Sequence, residues 1–423
     1  MRLIVQKYGG TSVGTAERIR NVARRLVEVQ REGSRVVAVI SAMAGVTDDL
    51  IKLAHETSEQ PAERELDILL ATGEHAATAL VAMAVNALGG RAISLTGAQA
   101  GILTDRNYTK ARIANISPKQ IHELLSDDYI VIVAGFQGQT PEGETTTLGR
   151  GGSDLTAIAL AGALNADVCQ IFTDVDGVFT CDPRVVTDAK KLDEVAYDEL
   201  LEMASAGSKI MQSRAVEFAK KFGIEFEVRS SFKPSTGTVA REATPSMEDV
   251  VIRGISLDRH QAKLTIAGVR DEPGCAGRIF SNISAAHIIV DMIVQNASIG
   301  GTTDISFTIH EDELENARKI LMPVVSEVGA KRLNTASGVA KLSVVGIGMR
   351  SHSGVAARMF ECLGRGGINI QLVSTSEIKI AVIIDEKDAE RAAQLIHAEF
   401  GLTRLMPAAR HGHACLISGW APG

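Results

Sequence analysis

The sequence predicts an α/β protein: a mostly parallel sheet sandwiched by helices, followed by two smaller α+β units in tandem. Three observations predict it. Over residues 1–240, short apolar and β-branched runs alternate with helical stretches. Polar, glycine-bearing segments fall directly after those runs, where parallel sheets carry their ligands. Beyond residue 262 the chain repeats itself.

The first run, LIVQKYGGTSVGTAERIR (Leu3 to Arg20), passes from apolar residues into a lysine, two glycines and two hydroxyls, then a helix-forming segment. A strand, a glycine turn and a helix start present backbone amides to phosphate. The order is not the Walker one, in which lysine follows the glycines; here Lys7 precedes them. Ile19, Val22, Ala23 and Leu26 have the spacing of an amphipathic helix. RVVAVISAM (Arg35 to Met43) reads as a buried strand, after which Thr47, Asp48 and Asp49 supply a helix cap and two first-turn acids. RAISLTG, DYIVIVAGF and DVCQIFTDVDG read as further strands, with helices over Glu65–Leu88 and Tyr197–Phe222 between them. Such alternation favours parallel strands covered on both faces.

The character changes at REATPSMEDV (Arg241 to Val250), a polar linker with a proline. KLTIAGVRDEPGCAGRIF then ends at Phe280 and KLSVVGIGMRSHSGVAARMF at Phe360, 80 residues apart. Each leads through a helix to a β-rich run, another strand and a closing helix. Two βαββαβ (ferredoxin-like) units packed on each other are expected. The divisions are 1–240, a linker and first strand at 241–262, modules at 263–337 and 338–409, and a tail at 410–423 that matches neither copy.

Composition narrows the class. At 423 residues the chain exceeds one core. A net charge of −7 argues against nucleic acid as a partner. No apolar run reads as long enough to span a bilayer, and the start lacks a signal peptide. Cys169, Cys181, Cys275, Cys362 and Cys415 are scattered, so buried thiols in a reducing cytoplasm fit better than disulfides or zinc. No metal site is expected; His411 and His413 alone show ligand spacing.

Three further clusters carry candidate chemistry. In TTTLGRGGSDLTAIALAGAL (Thr145 to Leu164) a glycine-flanked arginine enters a helix beginning Ser153-Asp154, which suits a carboxylate or phosphate; a plain turn with an acidic cap is the alternative. TDVDGVFTCDPR (Thr173 to Arg184) follows a strand, and reads otherwise as an Asp-Gly surface turn. Lys209 opens a helix in GSKIM, and Glu74 interrupts an apolar stretch in LATGEHAA; a solvated lysine and a surface carboxylate are the plain alternatives. Together they suit a nucleoside triphosphate, with Arg150 and Glu74 holding the two ends of a zwitterion. No Ser-His-Asp or Cys-His arrangement stands out.

KYGGTSV, ISAMAGVTDDL, LATGE, TLGRGGSD and TDVDGVFTCDPR, in this order, resemble the aspartate kinase family of the amino acid kinase fold, and the repeat resembles its paired ACT modules. The likeness spans roughly residues 1 to 409 and is nearest the monofunctional, lysine- and threonine-sensitive type. It implies ATP-dependent phosphorylation of the β-carboxylate of L-aspartate to 4-phospho-L-aspartate, the first step towards lysine, threonine and methionine. A carboxylate nucleophile is already ionised at neutral pH, so the site needs positioning and charge neutralisation rather than a base. By resemblance, Lys7 and Asp154 are catalytic. ATP, with Mg2+ on its phosphates, lies among Lys7, Tyr8, Gly9, Gly10, Thr173, Asp174, Phe179, Thr180, Cys181, Asp182, Pro183, Arg184 and Lys209. Aspartate lies among Ser41, Thr47, Glu74, Arg150, Gly151, Gly152 and Ser153. Threonine is expected near Asp271, Gly274, Ala276, Gln295, Asn369 and Ile370, and lysine near Asp291, Ser376 and Glu377, whose acids meet its ammonium. The resemblance also implies a homo-oligomer through the ACT modules, and Met247 suggests an internal start for a shorter subunit.

Two rivals remain at this level. Another amino acid kinase, acting on glutamate or N-acetylglutamate, shares the fold and the glycine loops. A non-catalytic amino-acid sensor would have lost the chemistry, yet Lys7, Arg150, Asp154 and Lys209 are all present.

Overall fold

The computed structural model describes residues 1–205, 211–298 and 300–403; Lys209 and the tail lie outside them. Eight strands form the N-terminal sheet in the order Glu194–Ala196, Thr238–Arg241, Phe226–Ser230, Val168–Thr173, Leu3–Tyr8, Arg35–Ile40, Ile130–Ala134, Ala92–Leu95. Every neighbouring pair is parallel except Phe226–Ser230 with Thr238–Arg241. The apolar runs are near-continuous because both faces are covered. Val37, Val39, Val131 and Val133 enter one core beneath helices Gly152–Ala163 and Ser213–Phe222. Val36, Ala38, Ile40, Ile130 and Ile132 enter the other beneath helices Ala16–Arg31 and Glu63–Ala87.

Several local expectations shift. The stretch read as one helix over Tyr197–Phe222 holds two, Tyr197–Ser205 and Ser213–Phe222. The helix after Met43 begins at Val46 with Gly45 as its cap, so Thr47 lies inside the first turn. Helix Glu63–Ala87 has 25 residues and, against the expectation from the sequence, is long and apolar enough to cross a membrane. Here it is a core helix, burying Ala77, Val81 and Val85 against the sheet. A second sheet of four short strands, Ile113–Ile116, Ile102–Thr104, Gln137–Gln139 and Thr145–Thr147, had no recognisable sequence signal.

The repeat forms one six-stranded antiparallel sheet: Val290–Gln295, Thr302–His310, Gly254–Arg270, Arg332–Val345, Lys379–Asp385, Leu372–Thr375. Its two long central strands serve both modules. Residues 254–258 pair with 341–345 in the second module, and 263–267 with 332–336 in the first. The units are therefore joined edge to edge rather than simply stacked. Contact between the edge regions is nevertheless made where Met292 and Val294 meet Leu372 and Ile383. Met247, in the stretch read as a polar linker, is fully buried with Ala196, Ile347 and Ile378.

Candidate active site

Lys7 is the penultimate residue of strand Leu3–Tyr8, in register with Val39 and Ile171 of its parallel neighbours. The loops after Tyr8, Ile40, Ala134 and Thr173 therefore leave the sheet along one carboxyl edge. Gly9 donates to Phe172 O and Ala44 donates to Gly10 O, knitting the loops together. Gly10 is required by closeness: a Cβ there would sit 2.7 Å from Ala42 O.

Asp154, in the first turn of helix Gly152–Ala163, meets Lys7 with Oδ1 2.7 Å from Nζ; both residues are only 9% exposed. A cation and an anion held out of water at a sheet edge form a strong local dipole. Gly151 enters that helix at φ +70°, and Gln212 packs where its side chain would be. Arg214 holds the loop from behind, donating to Leu148 O at 2.6 Å and to Ala111 O at 3.0 Å. Ser153 is buried beside Asp154, whereas Arg150 is exposed and makes no ion pair among the described residues.

Glu74 is 4% exposed on helix Glu63–Ala87. Its Oε1 accepts from Ala42 N at 3.2 Å, and its Oε2 has no hydrogen-bond partner among the described residues. Burial pushes its carboxyl up to about 7, partly opposed by the backbone bond from Ala42. Ser41, half-buried, donates its backbone N–H to Tyr8 O, and Thr47 lies in the first turn of the helix that follows this loop. Lys7, Asp154, Gly9, Gly10, Ser41 and Glu74 are thus gathered by loops meeting at this edge.

Other expected residues are placed differently. The Tyr8 side chain is fully buried, stacked on Phe172 at 4.8 Å with its hydroxyl donating to Gln6 Oε1, so it offers nothing to a nucleotide. Thr173 ends strand Val168–Thr173 at the edge and Asp174 follows it, the two joined by a hydroxyl–carboxylate bond of 3.2 Å. Further on, Phe179, Thr180 and Cys181 turn towards the second module instead. Cys181 is buried with Ile252, Ile255 and Val344, and Phe179 packs on the same cluster. The Thr180 hydroxyl shares a 2.9 Å bond with His397 Nε2 and donates to Leu402 O. Asp182 is occupied by the exposed Arg184, which lowers its carboxyl, and Pro183 between them is exposed. Ser12, in the KYGGTSV motif, is joined hydroxyl to hydroxyl with Ser231, and Lys233 lies 2.7 Å from Asp176; Ser231 and Lys233 also border these loops and fall in no motif. Both lie more than 40 residues along the chain from Asp176.

In the first module, Asp271, Gly274, Ala276 and Gln295 line one cavity of about 340 Å³, at the start of helix Cys275–Ala285. Asn369 and Ile370 do not reach it; Ile370 packs in the second module's core. The acids expected to receive a lysine ammonium are already paired. Asp291 meets the almost fully buried Lys341, and Glu377 meets Arg350 at 3.2 Å. Ser376 caps its own turn, donating through N–H to Lys379 O. The four described cysteines are free and buried.

Comparison with known proteins identifies the family. The amino acid kinase family matches residues 2–230, and the ACT domain matches residues 264–322 and 342–400. An aspartokinase of Pseudomonas aeruginosa is 51% identical, with 95% of this chain and 98% of the relative covered. An aspartate kinase of Pseudomonas fluorescens is 52% identical over the same shares. Among solved structures, E. coli aspartokinase III in complex with aspartate and ADP is 26% identical with a TM-score of 0.78, covering 94% of this chain and 99% of that one. The same enzyme with lysine and aspartate gives a TM-score of 0.76 at 26% identity, with the same shares covered. The chain belongs to the aspartate kinases of the amino acid kinase family.

Proposed function

We propose that the γ-phosphoryl group of ATP passes to the β-carboxylate of L-aspartate at the Lys7–Asp154 edge, giving 4-phospho-L-aspartate for lysine, threonine and methionine synthesis. The observation that carries this is the buried Lys7–Asp154 pair at the carboxyl edge, with the unsatisfied Glu74 oxygen on the neighbouring helix. Asp154 orients the Lys7 ammonium, which neutralises charge on the transferring group while the Gly9 and Gly10 backbone lies alongside. Glu74 takes the ammonium of aspartate and Arg150 its α-carboxylate. No general base is needed, because the acceptor carboxylate is already ionised. Among the described residues, no group of three His, Cys, Asp or Glu is arranged to hold a metal. Magnesium would come with the nucleotide's phosphates, as is usual for this ion, where it would add charge neutralisation. The nucleotide lies along Thr173, Asp174 and the exposed Arg184 side of the loop.

The first-module cavity is the proposed effector site, taking threonine with its carboxylate towards Gly274 and the helix start. Asn369 and Ile370 would join it only across a joint with a second copy, in keeping with an oligomer through these modules. Effector binding favours a less active arrangement of the kinase loops. A shorter subunit starting at Met247 would carry both modules; intact-mass analysis of the expressed protein tests for it. ATP- and magnesium-dependent acyl phosphate formation, trapped with hydroxylamine, tests the activity. Aspartate should react and glutamate or N-acetylglutamate should not; the reverse pattern, or no product from any of them, would reject the reading.

A further inference from the structure

Seven residues before Glu74, on the same helix, lies a carboxylate that the phosphoryl transfer does not use. Asp67 is completely buried and has no ion pair among the described residues. Four donor contacts compensate it instead. Oδ2 accepts from the backbone N–H groups of Thr109 and Thr147, each at 2.9 Å. Oδ1 accepts from Thr109 N–H at 3.1 Å and from the Thr147 hydroxyl at 2.5 Å. A buried anion is expensive unless its acceptor sites are filled, so this geometry is closely defined on both sides.

The partners decide the meaning. Thr147 ends strand Thr145–Thr147 and stands three residues before Arg150. Thr109 adopts φ +63°, and its carbonyl oxygen lies close against Gly149. Asp67 therefore ties the helix carrying Glu74 to the strand and turn that present Arg150, Gly151 and Gly152. In a helix, residues seven apart share a face, so the tie and Glu74 point towards the same side of the sheet.

We propose that Asp67 is a positioning residue that fixes the span between Glu74 and the Arg150 loop, and so selects the acceptor amino acid by its length. This rests on the reading that Glu74 and Arg150 grip aspartate. The span has to match a four-carbon acid; a slackened span admits glutamate, one methylene longer, and holds aspartate out of line. Misplacement of this kind costs rate far beyond the energy of one hydrogen bond.

The test is steady-state kinetics on the full chain for Asp67→Asn, Thr147→Val and Thr147→Ser, beside Glu74→Gln and Arg150→Ala. In Asp67→Asn the amide nitrogen replaces one oxygen and so faces at least one backbone N–H donor whichever way it turns, and Thr147→Val deletes only the hydroxyl contact. Both should raise KM for aspartate, on the order of tenfold for Asp67→Asn, and leave KM for ATP within about twofold. Both should also narrow the preference for aspartate over glutamate. Thr147→Ser, which keeps the hydroxyl, should behave as the wild type. If Asp67→Asn fails to fold, Thr147→Val decides. Equal rises in both Michaelis constants, or an unchanged aspartate-to-glutamate preference, would overturn the positioning role. If Glu74→Gln and Arg150→Ala weaken aspartate while both tie variants match the wild type, the grip stands and the tie falls. If those two variants leave aspartate unaffected, the grip falls and the tie with it.

Discussion

Replacing Glu74 by glutamine separates binding from stability. Burial holds the Glu74 carboxyl near about 7 rather than 4.5. In the unfolded chain it ionises near 4.5, so between these values the folded protein binds more protons. Stability from this group is fully present below about 4.5 and is lost as the pH rises through about 7. A gap of roughly 2.5 pH units corresponds to about 3 kcal/mol once both states are ionised. With 4% exposure, solvent screening reduces this little. Glutamine matches the neutral carboxyl in shape and keeps an acceptor for Ala42 N–H. Glu74→Gln should therefore stabilise the ligand-free protein at pH 8 by about 3 kcal/mol, and by about 1 kcal/mol at pH 5. That is roughly 6 °C or more at pH 8 for a domain of this size. Aspartate binding should simultaneously weaken, because its ammonium loses an anionic partner. Wild-type KM for aspartate should rise as pH falls below about 7, where free Glu74 is protonated. The assay is thermal melting of both proteins at pH 5 and pH 8, without and with aspartate. Destabilisation by glutamine at both pH values, or a difference that does not grow with pH, would refute the argument.

Other outcomes follow from the same geometry. Lys7→Met should keep a folded protein by melting but lower kcat on the order of 10²- to 10³-fold, the cost of one transition-state electrostatic group; wild-type turnover would make Lys7 structural. Gln295→Ala, at the first-module cavity, should relieve inhibition by threonine without altering uninhibited turnover; unchanged inhibition would place the effector elsewhere. His397 is buried against Thr180, and desolvation holds its imidazole below its usual value, with Asp188 opposing the shift. Because the unfolded chain then binds the proton more readily, stability should fall as pH drops through about 6.5. His397→Gln should flatten that acid limb in melting curves between pH 5 and 7; an unaltered limb would show that other groups carry it.

The parallel sheet, the tandem modules and the principal loops are legible in the sequence alone. Near-continuous β-branched runs such as RVVAVI are possible only where both faces are covered, and the 80-residue repeat is a direct sequence signal. Lys7, Glu74 and Asp154 were legible because each breaks an apolar or glycine-rich pattern at a strand end or on a helix. The rest depends on which distant chain segments meet in the folded protein. Thr180 and Cys181 belong to a motif that reads as nucleotide-facing, yet long-range packing with Ile252, Ile255 and His397 claims them for the joint with the second module. Asp291 reads as free for an effector, yet the buried Lys341 holds it, and Glu377 faces Arg350 in an exposed pair. The short strands around Thr104 and Gln139 carry too few residues for a periodic pattern, and Asp67 resembles any acid on an amphipathic helix. Its burial is set by donors 42 and 80 residues away, and a partner at that distance leaves no local trace.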